Sequence, residues 1–167
     1  ANNTVAAGWV EMLSDLLCVG TSPAWDASRR SEVPRRQAKF PFVNLLTAGV
    51  WDPDAPRSAE DLAALAPARL GVWHEWAVAQ ELFRRAALLG RPQPERIPYW
   101  QGGDHELDFV VGENHFVEVK LGRATALDFA WFGRVFPSGR LTVVCATPFE
   151  SDRVVGVTLD QFLRQPQ

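Results

Sequence analysis

ELDFVVGENHFVEVKLG, residues Glu106–Gly122, is the stretch whose reading decides the fold. Leu107, Phe109 and Val111 alternate with Glu106, Asp108 and Val110, and Val117, Val119 and Leu121 alternate with Phe116, Glu118 and Lys120. A period of two marks β-strands, because successive side chains point to opposite faces. Gly112, Glu113 and Asn114 between the two runs are turn formers. The stretch therefore predicts an antiparallel hairpin with an apolar face and a charged face. With the turn centred on Glu113, Asp108 opposes Glu118 and Glu106 opposes Lys120. Directly opposed side chains have Cβ atoms about 4.5–5.5 Å apart, and like charges so placed are destabilising. Two carboxylates in that position point to a hard cation, since Mg²⁺ and Mn²⁺ take oxygen ligands, often one or two carboxylates plus substrate phosphate. Lys120 shares their face and would sit near an attacked phosphate.

The lysine is informative by its rarity. The chain has two lysines, Lys39 and Lys120, against fifteen arginines, so arginine is its usual cation. A compact ammonium at Lys120 is a different tool from a planar guanidinium. The rival reading of the same residues is a half-exposed hairpin with a cross-strand ion pair, which stabilises little.

Working outward, the segment TVAAGWVEMLSDLLCV predicts a first helix, with Thr4 as N-cap and Val5, Trp9, Met12 and Leu16 as its stripe. TSPAWDASRRSEVPRRQ then breaks the pattern with prolines and turn formers, and reads as a solvated connection. It carries Arg29, Arg30, Arg35 and Arg36, the most basic part of the chain and the first place to look for phosphate contacts. KFPFVNLLTAGVW is a short strand or helix edge, and a short helix follows from about Ser58. The longest helix runs from Leu70 to Gly90, with Val72, Trp76, Ala79 and Phe83 as its stripe. The prolines of RPQPERIPYW extend the chain into the hairpin. Beyond it, RATALDFAWFGRVFP predicts a helix, LTVVCATPF and VVGVTL two strands, and DQFLRQ a terminal turn of helix. Helix, hairpin, helix, strand, strand is an α/β (α+β) order, with a sheet flanked by helices.

The composition sets limits on this reading. A chain of 167 residues with 47% hydrophobic and 22% charged residues can bury a core. A net charge of −3 excludes a broadly basic surface but leaves room for a local basic patch. Cys18 and Cys145 lie far apart in apolar surroundings and read as buried thiols of a reducing, cytoplasmic compartment, with a disulfide as the lesser alternative. No apolar run approaches a membrane span, and ANNTVAAGWVEML lacks the basic start and continuous apolar core of a signal peptide. His74 and His105 lack metal-ligand spacing to a second histidine, and Trp73, Trp76, Tyr99 and Trp100 read as core or interface.

Asp108 followed by Glu118-Val119-Lys120 on the adjacent strand resembles the PD-(D/E)xK nuclease core, a mixed sheet flanked by helices. In that superfamily a helix before the hairpin often supplies a further acid, and Glu75 in GVWHEWAVAQELF is the matching position. A closer resemblance is to the domain of unknown function that follows the ATPase domain of many bacterial and archaeal AAA-type ATPases. It covers nearly the whole chain and is strongest from Leu70 to Gly122. It rests on TVAAGWVEMLSDLLCV, KFPFVNLLTAGVW, LGVWHEWAVAQELFRR and YWQGGDHELDFVVGENHFVEVKLG, with Asn44 near where that family has Asp-Thr-Gly. The resemblance implies a helical segment and basic linker over residues 1–37, the end of a winged-helix-like region. A restriction-endonuclease-like domain over residues 38–167 follows. It also implies a cytoplasmic protein with an upstream ATPase domain. The chain itself has no GxxxxGK[ST] phosphate loop.

Three functions are open at this stage. One is an Mg²⁺- or Mn²⁺-dependent nuclease acting on DNA, with Glu75, Asp108, Glu118 and Lys120 catalytic and the metal on Asp108 and Glu118. Another is a non-catalytic module that regulates the attached ATPase through DNA or protein contacts. The third is a structural ion-pair network.

Overall fold

The computed structural model describes residues 3–165. The chain divides into two compact units, one of residues 1–22 and 38–97, the other of residues 23–37 and 98–167. The first unit is mainly helical and the second carries two mixed sheets, so the protein is α+β.

In the first unit, α1 spans Asn3–Asp15, and Thr4 lies within it rather than capping it. Its expected stripe is solvent-facing, with Trp9 59% and Leu16 63% exposed. KFPFVNLLTAGVW resolves into a bridge at Lys39, another at Phe42, and helix α2, Leu45–Trp51. Asn44 caps α2 by accepting from the Leu46 and Thr47 amides, the ordinary use of asparagine at a helix start. Helix α3, Ala59–Ala64, opens on a Ser58–Asp61 capping box. Helix α4, Pro67–Leu88, places Pro67 in its first turn, where a missing N–H costs nothing. Its buried face is Trp73, Val78, Ala79, Leu82 and Ala86, so the expected stripe is rotated and Val72, Trp76 and Phe83 are half-buried.

The second unit begins with a surprise for the sequence reading. The expected connection holds strands β1, Ala24–Asp26, and β2, Ser31–Glu32, paired antiparallel. Asp26 Oδ1 builds the turn by accepting from the Ser28 amide (2.8 Å), the Ser28 hydroxyl (2.7 Å) and the Arg29 amide (3.0 Å). β1 runs parallel to β3, Tyr99–Gly102, which turns back into β4, His105–Leu107. Gly103, at φ 58°, makes that tight turn, because glycine carries no penalty there. The order in this sheet is β2-β1-β3-β4.

The second sheet contains β5, Phe109–Val110, β6, His115–Val119, β7, Arg140–Val144, β8, Phe149–Glu150, and β9, Val154–Val157, in the order β5-β6-β7-β9-β8. β6, β7 and β9 are parallel, and the two outer strands run antiparallel to their neighbours. A 3₁₀ turn, Ala126–Phe129, and helix α5, Phe132–Val135, replace the single helix expected between β6 and β7. Helix α6, Leu159–Arg164, closes the chain behind a Thr158–Gln161 capping box. Phe116, Phe132, Leu141 and Val143, none more than 1% exposed, pack with Trp25, Trp100 and Phe136 into the core of this unit.

At Gly156 the backbone of β9 lies under the Phe149 ring, and an added Cβ would stand 2.2 Å from it. Gly156→Ala should therefore cost about 1–3 kcal/mol in urea unfolding, because the half-buried ring must move aside.

Candidate functional site

The expected register is present, since Phe109 pairs with Val117 and Val110 with Phe116. The run expected as one strand is two, however. Leu107 pairs with Trp100 in the first sheet and Phe109 with Val117 in the second, and the chain bends between them at Asp108. Both flanking side chains are buried, Leu107 at 0% and Phe109 at 4% exposure, so each is drawn into its own sheet. Glu106 consequently registers with Gln101, not with Lys120.

The two carboxylates mend the break. Glu118 Oε2 accepts from the Asp108 amide at 3.2 Å, and Asp108 Oδ2 accepts from the Val119 amide at 2.8 Å. Side chains thus take backbone N–H groups that a continuous strand would offer to carbonyls. Lys120 Nζ lies 2.5 Å from Glu118 Oε1, with its stem half in solvent. Asp108 is 8% and Glu118 4% exposed, so the pair is interior rather than on a half-exposed face. β6 is buried on both sides from Phe116 to Val119, as expected for a strand with a parallel neighbour.

Burial, and then the nearby Asp108 carboxylate, push the Glu118 carboxyl up to about 8, and Lys120 offsets only part of this. An acid raised in this way keeps its proton at neutral pH unless a cation takes its place.

The other sequence candidates are distributed as follows. Glu75 is half-buried on α4, in the first unit, whereas Asp108, Glu118 and Lys120 all lie in the second. Arg29 and Arg30 stand exposed on the β1–β2 turn, and Arg35 and Arg36 on the turn after β2. Arg30 Nη2 donates to Asn114 Oδ1 at 2.7 Å, and Arg36 Nη2 to Gln101 Oε1 at 3.2 Å. His74 is half-buried, and burial lowers its pKa. His105 stacks on Trp131, with ring centroids 4.1 Å apart. Tyr99 and Trp100 are buried, and Trp73 packs edge-on against Trp76. Both cysteines are free thiols, Cys145 buried and Cys18 half-buried. Among the described residues no group of three His, Cys, Asp or Glu side chains converges on one point, and no helix is long and apolar enough to cross a membrane.

No protein-family model, curated protein or solved structure matches this chain.

The residues that sequence reasoning missed lie around the β5–β6 turn. Asn114 is read as a turn former, yet its amide is held by Arg30, 84 residues away. Only the proximity of the two turns in space reveals that contact.

Proposed function

We propose that the second unit is a metal-dependent phosphodiesterase module acting on DNA, with Asp108 and Glu118 as the ligands of Mg²⁺ or Mn²⁺ and Lys120 at the attacked phosphate. The observation that carries it is the interior acid pair, with Glu118 4% and Asp108 8% exposed and the Glu118 proton held up to about 8. Burying two carboxylates together is costly. A hard divalent cation relieves that cost, and two carboxylates leave the remaining positions to water and substrate phosphate. Bound there, such a cation would supply a nucleophilic hydroxide and neutralise phosphate charge. The chain's own part is to hold both carboxylates through the Asp108 and Val119 amides and to keep an ammonium beside them.

This reading agrees with the resemblance to the PD-(D/E)xK core and to the domain that follows AAA-type ATPases, in which an upstream ATPase would be the partner. Glu75 would join the site only if α4 comes alongside the acid pair. A second reading is favoured by the same backbone bonds: the carboxylates already serve the break between β4 and β5, and the unit would then be a non-catalytic binding module for DNA or for the ATPase.

Titration of Mn²⁺ by calorimetry separates the two. The metal reading expects saturable binding by the wild type, loss of at least tenfold in affinity in Asp108→Asn, and tighter binding as pH rises towards 8 because the bound proton must leave. Absence of binding by the folded wild type, with and without a short DNA duplex, selects the module.

A further inference from the structure

Helix α1 is held to its unit along one side only. Val10, Leu13 and Ser14 are half-buried, whereas every side chain from Thr4 to Trp9 is exposed. The outward face carries Val5, Trp9, Met12 and Leu16 at 57%, 59%, 42% and 63% exposure. Their spacing makes one continuous apolar stripe, the pattern by which a helix seats itself in a groove. An isolated helix shorter than about 12–15 residues is marginal in water, so the 13 residues of α1 gain from a partner along this stripe. The helix's only charges are Glu11 and Asp15. A helix on a lipid surface or on nucleic acid needs lysine or arginine. The stripe therefore calls for a protein surface that is apolar with a positive rim.

The same unit carries such a surface. A groove of about 710 Å³ lies between α2, the loop after it and α3, with Trp73 of α4 in its lining. Leu46 and Val50 on its wall are 85% and 81% exposed. Gly49 between them presents bare backbone, with only Pro56 and Trp73 within 4 Å of where a Cβ would stand, so a helix can approach closely. Among the residues lining the groove Arg57 is the only charged one, and it is exposed. The nearby acids Glu60 and Asp61 are engaged with Ser58 at the start of α3. α1 does not fill the groove of its own chain, because Leu46 and Val50 stand open. The left-handed turn at Leu17, φ 55°, sets the direction in which α1 leaves, closed by the Cys18 amide on the Leu13 carbonyl at 2.9 Å.

We infer that α1 of one copy docks in the α2–α3 groove of a second, and that the two copies exchange helices reciprocally to form a two-fold dimer. Charge complementarity and area carry it. The acids of α1 meet Arg57 at each contact. Each copy buries the four stripe side chains together with Leu46 and Val50, and at about 60–120 Å² apiece these supply roughly 350–700 Å² of apolar surface. A standard interface buries about 800 Å² per partner, of which about 57%, or roughly 450 Å², is apolar. Reciprocal exchange closes the assembly, where a one-way contact would propagate into a filament. The inference stands on residues of the first unit alone and is independent of the metal reading.

The test is sedimentation equilibrium of the full chain at up to about 100 μM, where an interface of this size is populated. Twice the mass of the chain is expected. Trp9→Glu and Val50→Glu each change an exposed side chain, and each should weaken the dimer by about tenfold or more. The urea midpoint in dilute solution should stay in place. Mixed together, the two variants should pair again, because the first keeps its groove and the second its helix. Arg57→Glu should weaken the dimer roughly tenfold in low salt and less in high salt, since it sets an acid against Glu11 and Asp15. A monomeric wild type overturns the inference. So does a Val50→Glu chain that dimerises like the wild type, the result expected if α1 pairs with another α1. A mixture of the two folded variants that stays monomeric overturns it as well.

Discussion

Glu118→Gln should make the protein more stable at pH 8.5 by on the order of 3 kcal/mol, an unusual outcome for a change at a residue only 4% exposed. The Glu118 carboxyl titrates near 8 in the folded protein and near 4.5 in an unperturbed chain. Between those values the native state holds a proton that the unfolded chain has released. Stability therefore falls as pH rises from about 4.5 to about 8 and levels off above, because the unfolded state binds fewer protons throughout the window. Glutamine keeps an oxygen for the Asp108 amide and carries no charge; its N–H₂ takes the place of Oε1, from which the half-exposed Lys120 ammonium must withdraw into solvent. Urea unfolding of wild type and variant at pH 5 and 8.5 checks this: the two should nearly coincide at pH 5 and separate at 8.5. Parallel curves with no gain at the higher pH would show that the acid pair is not strained by burial.

If Mn²⁺ binds at this pair, the same substitution should abolish binding while stabilising the fold. Residues held at a cost to stability are a common mark of a functional site. A structural role predicts the reverse association, in which the variant that loses the carboxylate also loses stability. The Glu118→Gln measurement thus bears on function as well as on electrostatics.

The β5–β6 register was legible in the sequence because alternation and a short turn determine it together: Gly112, Glu113 and Asn114 leave one way to pair Val110 with Phe116. The pairing of Asp108 with Glu118 followed from it. The break at Asp108 was not legible. Glu106–Phe109 alternates without interruption, and nothing local shows that Leu107 and Phe109 are claimed by different sheets. The β3–β4 hairpin had its signal in Gly102, Gly103 and Asp104, but the prolines of residues 92–98 drew attention to extension instead. Strands β1 and β2 have only three and two residues, too short for periodicity to register, and exist because β3 offers β1 an edge. The same limit hid the Arg30–Asn114 contact.

Asp52→Ala should destabilise the first unit by about 3 kcal/mol, for reasons opposite to those at Glu118. The Asp52 side chain is fully enclosed, yet every bond around it favours the charged form. Its Oδ2 accepts from Arg69 Nη2 at 2.5 Å and from the Trp73 indole at 2.9 Å, and its Oδ1 from the Asp54 amide at 2.9 Å. Burial raises its pKa, but these bonds outweigh burial and hold the carboxyl below the ordinary range. Removing the carboxylate leaves the Trp73 N–H buried without its acceptor, at about 1–3 kcal/mol, whereas Arg69 keeps water and Asp54. Asp52→Asn should cost less, since its carbonyl still accepts from Trp73. A depressed folded-state pKa contributes stability that is present above the unfolded value of 3.8 and lost as pH falls through the lower folded value. The wild type should therefore lose stability below about pH 4 and Asp52→Ala should lose less there, so their unfolding curves converge in acid. Equal separation of the curves at pH 3 and pH 6 would show that packing, not the carboxylate's bonds, sets the cost. Asp52 loses its contribution at low pH and Glu118 withdraws stability at high pH, so the folded protein should be most stable near pH 5, where the first carboxylate is still charged and the second still holds its proton.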